Sequence, residues 1–221
     1  MEKLKVNKLF DFSHTLAAPL LSGCIYPWEA LEGIGEFIIS LGRSLPKDIY
    51  MEREPQVWIA RDATVAPSAS VTGPCIIGRG AEVRHCAFIR GKVLVGEGAV
   101  IGNSTELKNC ILFDEVQVPH YNYVGDSILG YRAHMGAGAV TSNVKCDKSN
   151  VCVRCDGEIM QTGLRKFGAA IGDQVEIGCG AVLNPGTVVG RGSIIYPLVP
   201  VRGYVPENSI VKDAGKIVKK V

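Results

Sequence analysis

Residues 77–101 read IGRGAEVRHCAFIRGKVLVGEGAVI, and an apolar anchor stands at every sixth position: Ile77, Val83, Ile89, Val95 and Ile101. The series extends backward through Val71, Val65 and Ile59 and forward to Leu107 and Phe113. A second series, Ile171, Ile177, Leu183, Val189, Ile195 and Val201, keeps the same interval but is out of phase with the first, so something is inserted between them. A period of six is neither the 3.6 of a helix nor the alternation of a strand. Four positions after most anchors comes a small side chain, as at Ala63, Ala69, Ala81, Ala87 and Ala99, and glycine often follows the anchor directly, as at Gly78 and Gly96. One hexad then supplies a short strand and a turn, three close a triangular coil, and coils stack at about 4.8 Å through backbone hydrogen bonds. No hexad buries its anchor alone. About sixteen hexads give about five coils of an all-β solenoid, with open ends that need covering.

Outward from the repeat, the chain divides into residues 1–55, a short and partly helical N-terminal cap; 56–206, the β-helix; and 207–221, a polar, basic tail. A helix is predicted from about Pro27 to Gly42, with Leu31, Ile34, Ile38 and Leu41 on one face. The hexad lapses between about Val118 and Ala170, and residues 141–170, rich in polar side chains and glycine, read as a loop leaving the prism.

Composition narrows the function classes. A net charge of +2, from 24 basic and 22 acidic residues, gives no general argument for nucleic acid or an anionic membrane as partner. No segment approaches the roughly 20 apolar residues of a membrane span. The eight cysteines lack the spacing of a disulfide scaffold and read as free thiols of a reducing, cytoplasmic setting. Leu21-Ser22-Gly23-Cys24 has the look of a lipoprotein cleavage site, but Asp11 and His14 interrupt the apolar run a signal peptide needs. Cys146 with Cys152-x-x-Cys155 is half of a zinc pattern whose second half is missing, so no metal is expected.

Three local features carry chemistry. Arg90 and Lys108 each follow an anchor and are separated by three hexads, one coil of the solenoid, so two cations stack on one edge. Like charges stacked in this way call for an anion between them, and a guanidinium fork with an ammonium suits a phosphate; the alternative is neutralisation by Glu106 or Asp114. His120 sits where the repeat lapses and offers a general base near neutral pH. Gly136-Ala137-Gly138 can bring backbone N–H groups to a carbonyl oxygen.

The succession Ile101-Gly102-Asn103-Ser104-Thr105-Glu106-Leu107-Lys108, His120-Tyr121-Asn122-Tyr123-Val124-Gly125-Asp126 and Met135-Gly136-Ala137-Gly138-Ala139-Val140-Thr141-Ser142-Asn143 resembles the hexapeptide-repeat acyltransferases. It is most similar to the acetyltransferase half of the bacterial bifunctional N-acetylglucosamine-1-phosphate uridyltransferases/glucosamine-1-phosphate acetyltransferases, over roughly residues 58–206. The resemblance implies a left-handed parallel β-helix, a homotrimer with sites between neighbouring prisms, acetyl-CoA as co-substrate and an amino sugar 1-phosphate as acceptor, in a cell-envelope precursor route leading to UDP-N-acetylglucosamine. It puts the sugar phosphate on Arg90 and Lys108, the base on His120, and sugar contacts on Tyr123 and Asn143. Ala137 falls at the thioester contact, Cys179 near the pantetheine and Arg202 at the coenzyme's phosphates. His134 stands where the family has an asparagine near the acceptor, and the stretch from Val144 departs from the family. The alternative is a trimeric scaffold or regulatory protein that keeps the pocket without turnover. Residues 1–50 hold no glycine-rich nucleotide loop, so no nucleotidyltransferase domain is expected in this chain.

Overall fold

The computed structural model describes residues 1–213 and 215–220. It is a left-handed parallel β-helix of hexapeptide repeats. Its first face stacks eight rungs: Val57–Ala60, Cys75–Ile77, Val93–Val95, residues 110–112, residues 127–129, Ala169–Ile171, Thr187–Val189 and Tyr204–Val205. The second face also has eight, from Thr64–Val65 to Ser209–Asp213. The third has seven, from Ser70–Val71 to Pro200–Val201. The anchors point inward and are almost wholly buried, Ile77, Ile101, Leu107, Ile171 and Val189 among them, and they form the core of the prism.

The stack is therefore longer than the five coils expected, and the reason lies in its register. Val95 pairs with Leu112, not Phe113, and Leu112 with Leu129, so two successive coils are each one residue short of three full hexads. That loss hides the period in the sequence while leaving the parallel ladder intact. The segment from Val118 to Thr141, which reads as a lapse, thus holds regular rungs at Gln117–His120, Tyr123–Leu129, His134–Met135 and Val140–Thr141. The true excursion follows: Thr141 pairs with Leu183, and the chain between them carries an antiparallel hairpin, Cys152–Cys155 with Glu158–Gln161. At the far end, Ile194 and Ile195 pair in parallel with Ile210 and Val211, so the β-helix continues past residue 206, and Lys216–Lys219 folds back antiparallel on the last rung.

Only the last strand of the N-terminal segment closes the end of the prism; residues 1–44 do not. The end is covered by Tyr50–Glu54, antiparallel to the first rung. The segment instead runs along the prism's side: Lys3 pairs with Asp156 on the hairpin, the Leu9 carbonyl accepts from Asp173 N at 3.1 Å, and the His14 carbonyl accepts from Asp114 N at 3.0 Å. The helix Ile34–Ser44 then lies on the first rungs, with Gly42 tight against Trp58. It is shorter than expected, because Pro27–Ala30 forms a 3-10 turn of its own.

What the segment covers explains its path. In the first face the middle residue of each rung points out of the prism, and this row reads Trp58, Ile76, Leu94, Ile111, Ile128, Ala170 and Val188. All are buried. The corresponding outward rows of the other faces are mixed: Thr64, Glu82, Val100, Gln117, His134, Glu176, Ile194 and Ile210 on the second, and Ser70, Phe88, Glu106, Tyr123, Val140, Val182 and Pro200 on the third. Of the three faces, the first is the one that is apolar on both sides, and the N-terminal segment buries its outer side.

Candidate active site

Two edges of the third face hold the residues singled out from the sequence. The edge toward the first face carries, rung after rung, Arg90, Lys108, Gly125, Ser142, Asn184 and Arg202, each directly after an anchor. Arg90 N donates to the Leu107 carbonyl at 2.9 Å, and the two cations line one cavity of about 250 Å³ with Lys92, Asn109 and Asp126. Each already has a carboxylate. Arg90 Nη1 is 2.6 Å from Glu106 Oε1, and Lys108 Nζ is 3.6 Å from Asp126 Oδ2. Glu106 thus neutralises Arg90 as the alternative reading held, whereas Asp114 lies on another edge, where it accepts from Glu97 N at 2.8 Å.

Asp126 is the organising group of this cavity, and sequence reasoning missed it: its place at the end of one motif was the one signal that could have found it. Only 5% exposed, it accepts from Asn109 Nδ2 at 2.8 Å and from Asn143 Nδ2. The Asn143 amide also donates to Tyr123 Oη at 3.3 Å. Burial, ahead of the charge on Asp126, pushes the Tyr123 phenol up, so it stays a neutral donor. Tyr123, Asn143 and Lys108 are thus brought together around Asp126.

The other edge, toward the second face, carries His120, Ala137 and Cys179. Gly138 N donates to the His120 carbonyl at 3.0 Å and Gly180 N to the Ala137 carbonyl at 2.8 Å, so the three turns stack in order. Asn122, buried inside the coil, ties two of them: its Oδ1 accepts from His120 N at 3.1 Å, and its Nδ2 donates to the carbonyls of Gly136 at 2.8 Å and Ala139 at 3.1 Å. A buried asparagine that satisfies one donor and two acceptors of neighbouring turns fixes their relation. His120, Ala137 and Cys179 are all exposed. His120 and Tyr123 flank a single corner of one coil, and the cation cavity lies at the opposite edge of the face that Tyr123 begins.

His134 lies elsewhere. It is on the second face, in register with Gln117 and Glu176, and its Nδ1 is 2.8 Å from Glu176 Oε2. Within one chain it does not meet the other candidates. Arg202 shares the edge of Lys108 but sits four rungs on, about 19 Å at the usual strand spacing. Among the described residues no group of three His, Cys, Asp or Glu side chains converges as a metal ion requires.

Residues 71–159 match the family described as the GMPPB C-terminal domain. Together with the fold and the curated matches, this supports a hexapeptide-repeat acyltransferase over the matched stretch. Curated relatives with bifunctional names are among the matches. The chain is 36% identical over 121 residues to the bifunctional protein GlmU of Methanococcus maripaludis, covering 54% of this chain and 29% of that one. It is 35% identical over 96 residues to a bifunctional sugar-1-phosphate nucleotidylyltransferase/acetyltransferase of Sulfurisphaera tokodaii, covering 43% and 24%. The matched stretches thus span less than a third of these relatives. Among solved structures, PerB from Caulobacter crescentus, determined with CoA and GDP-perosamine, is 18% identical with a TM-score of 0.37, covering 70% of this chain and 52% of that one.

Proposed function

We propose that this chain is an N-acetyltransferase that moves acetyl from acetyl-CoA to the amine of an amino sugar 1-phosphate or a related sugar nucleotide. The reading rests on one observation above all: a single face of the prism presents a cation cavity on one edge and a histidine on the other, within the stretch that matches the GMPPB C-terminal domain, in a chain similar to a bifunctional sugar-1-phosphate nucleotidylyltransferase/acetyltransferase. On this reading the phosphate enters between Arg90 and Lys108, displacing Glu106 from Arg90. Tyr123 and Asn143 contact the sugar. His120 takes a proton from the amine as its nitrogen attacks the thioester carbon; the C–N bond forms, the C–S bond breaks, and coenzyme A leaves as its thiol. A base is needed because the amine is protonated and non-nucleophilic at neutral pH. Ala137 N–H faces the thioester oxygen, Cys179 lies beside the pantetheine and Arg202 meets the coenzyme's phosphates. A homotrimer completes the site, and His134 reaches an acceptor held by the neighbouring prism.

One observation favours the second reading, a non-catalytic scaffold: both cations of the cavity are already paired with carboxylates. The two readings separate in a coenzyme A thiol-release assay with acetyl-CoA and a panel of amino sugar phosphates, glucosamine-1-phosphate included. The enzyme reading expects release that falls by roughly 10² to 10⁴ in His120→Ala. No release from the native chain across the panel would leave the scaffold.

A further inference from the structure

The end of the prism that Tyr50–Glu54 closes carries a cavity of about 450 Å³ that holds none of the residues assigned to the reaction above and shares no lining residue with the cation cavity. Three cations line it: Arg43 from the last turn of the helix Ile34–Ser44, Lys47 from the loop that follows, and Arg61 directly after the first rung. None of the three forms an ion pair among the described residues. Glu52, a carboxylate on the same wall, is already engaged, accepting from Gln56 N at 2.8 Å. Part of the charge has a structural account. Arg43 suits the negative end of the helix dipole, worth about half an elementary charge. Arg61 Nη2 donates to the Lys47 carbonyl at 3.0 Å, which orients the guanidinium without neutralising it. Most of the positive charge stays uncompensated. In the same cavity, Leu45, Met51 and the Trp58 ring supply an apolar wall.

Guanidinium forks and an ammonium gathered without a counter-charge select a multiply charged, multidentate anion, phosphates above all. A bare inorganic anion would satisfy the charge and leave the apolar wall in water, whereas a cavity of this volume falls within the range of small-molecule sites. We propose that it binds an organic phosphate of the nucleotide type, with its phosphates on Arg43, Lys47 and Arg61 and its apolar body against Leu45, Met51 and Trp58. The site stands apart from acetyl transfer and does not depend on that reading. Because its walls come from the end of the helix on one hand and from Tyr50–Glu54 and the first rung on the other, a ligand held there fastens the N-terminal segment to the prism.

The chain has two tryptophans, so in Trp28→Phe the emission of Trp58 alone reports on this cavity. In the full-length Trp28→Phe protein, ADP should change the Trp58 emission with a saturable midpoint and raise the melting temperature, as a ligand of the folded state does. Arg43→Gln and Arg61→Gln on that background should each raise the midpoint about tenfold, the loss expected for one charge-assisted bond. Arg202→Gln should leave the midpoint in place, since Arg202 lies outside this cavity. Adenosine at the same concentration should produce neither effect, and pyrophosphate should bind more weakly than ADP because it leaves the apolar wall uncovered. Melting curves without nucleotide establish that each variant is folded. No saturable change with ADP, an unchanged midpoint in folded Arg43→Gln and Arg61→Gln, a midpoint moved by Arg202→Gln instead, or pyrophosphate binding as tightly as ADP would each overturn the proposal. None of these outcomes bears on coenzyme A release, so the site and the acetyl transfer stand or fall separately.

Discussion

Asp126 decides the character of the cation cavity. Its carboxylate is buried, fixes two asparagine amides and stands beside Lys108, so the lysine is held in place and its charge offset by the same group. In Asp126→Ala the Asn109 amide loses its acceptor and Asn143 keeps only the Tyr123 hydroxyl, which should cost about 1–3 kcal/mol in urea unfolding. If Lys108 holds the substrate phosphate, the same variant should leave the pH profile set by His120 unmoved while raising KM for the acceptor. Asn122 is the equivalent on the other edge, where one buried amide holds the His120 turn against the Gly136–Gly138 turn and so sets the distance between His120 and Ala137.

At the scale of elements, the attachment of the N-terminal segment is the arrangement most open to test. Gly42 has no room for a side chain: a Cβ would sit 2.2 Å from Cε3 of the Trp58 ring. Gly42→Ala should cost about 1–3 kcal/mol through overpacking, read as a lower urea midpoint. Farther along, the Asp173 carboxylate accepts from Asp11 N at 2.8 Å and Tyr131 N at 2.9 Å and so pins the segment to the prism. Burial holds the Asp173 carboxyl above the usual range in spite of those hydrogen bonds and of Arg191. A carboxyl whose folded pKa exceeds its unfolded value binds its proton more tightly in the folded state. The stability it contributes is full below the unfolded value of 3.8 and is lost as pH rises through the folded one. The melting temperature of the native chain relative to Asp173→Asn should therefore decline as pH is raised through the range just above 3.8.

For the whole molecule, the outer row from Trp58 to Val188 makes the covered face a continuous apolar strip. Ile34 and Ile38, fully buried on the helix Ile34–Ser44, are part of its cover. The double variant Ile34→Asp with Ile38→Asp should lift the helix and expose more apolar surface than a monomer tolerates, seen as dye binding and self-association in size-exclusion chromatography. Because this face is already covered within one chain, a trimer built from these prisms would have to meet through the second and third faces, where the candidate residues stand.

The period of six determined the architecture by itself, since only a stacked triangular coil buries an anchor at every sixth position. The spacing of three hexads likewise placed Arg90 and Lys108 as stacked neighbours on one edge. The two shortened coils escaped that reading, because one missing residue in each breaks a period in sequence without breaking a ladder in space. The row of outward apolar residues was also present in the sequence, spaced by whole coils, but its meaning depended on which side of each strand faces the core. What only the tertiary structure decided was pairing: Glu106 with Arg90, Asp126 with Lys108, Arg154 beside Arg202, His134 away from His120. Those residues stand on different turns or on the inserted hairpin, and the stacking of the coils, with the seat of the hairpin on them, determines which side chains meet.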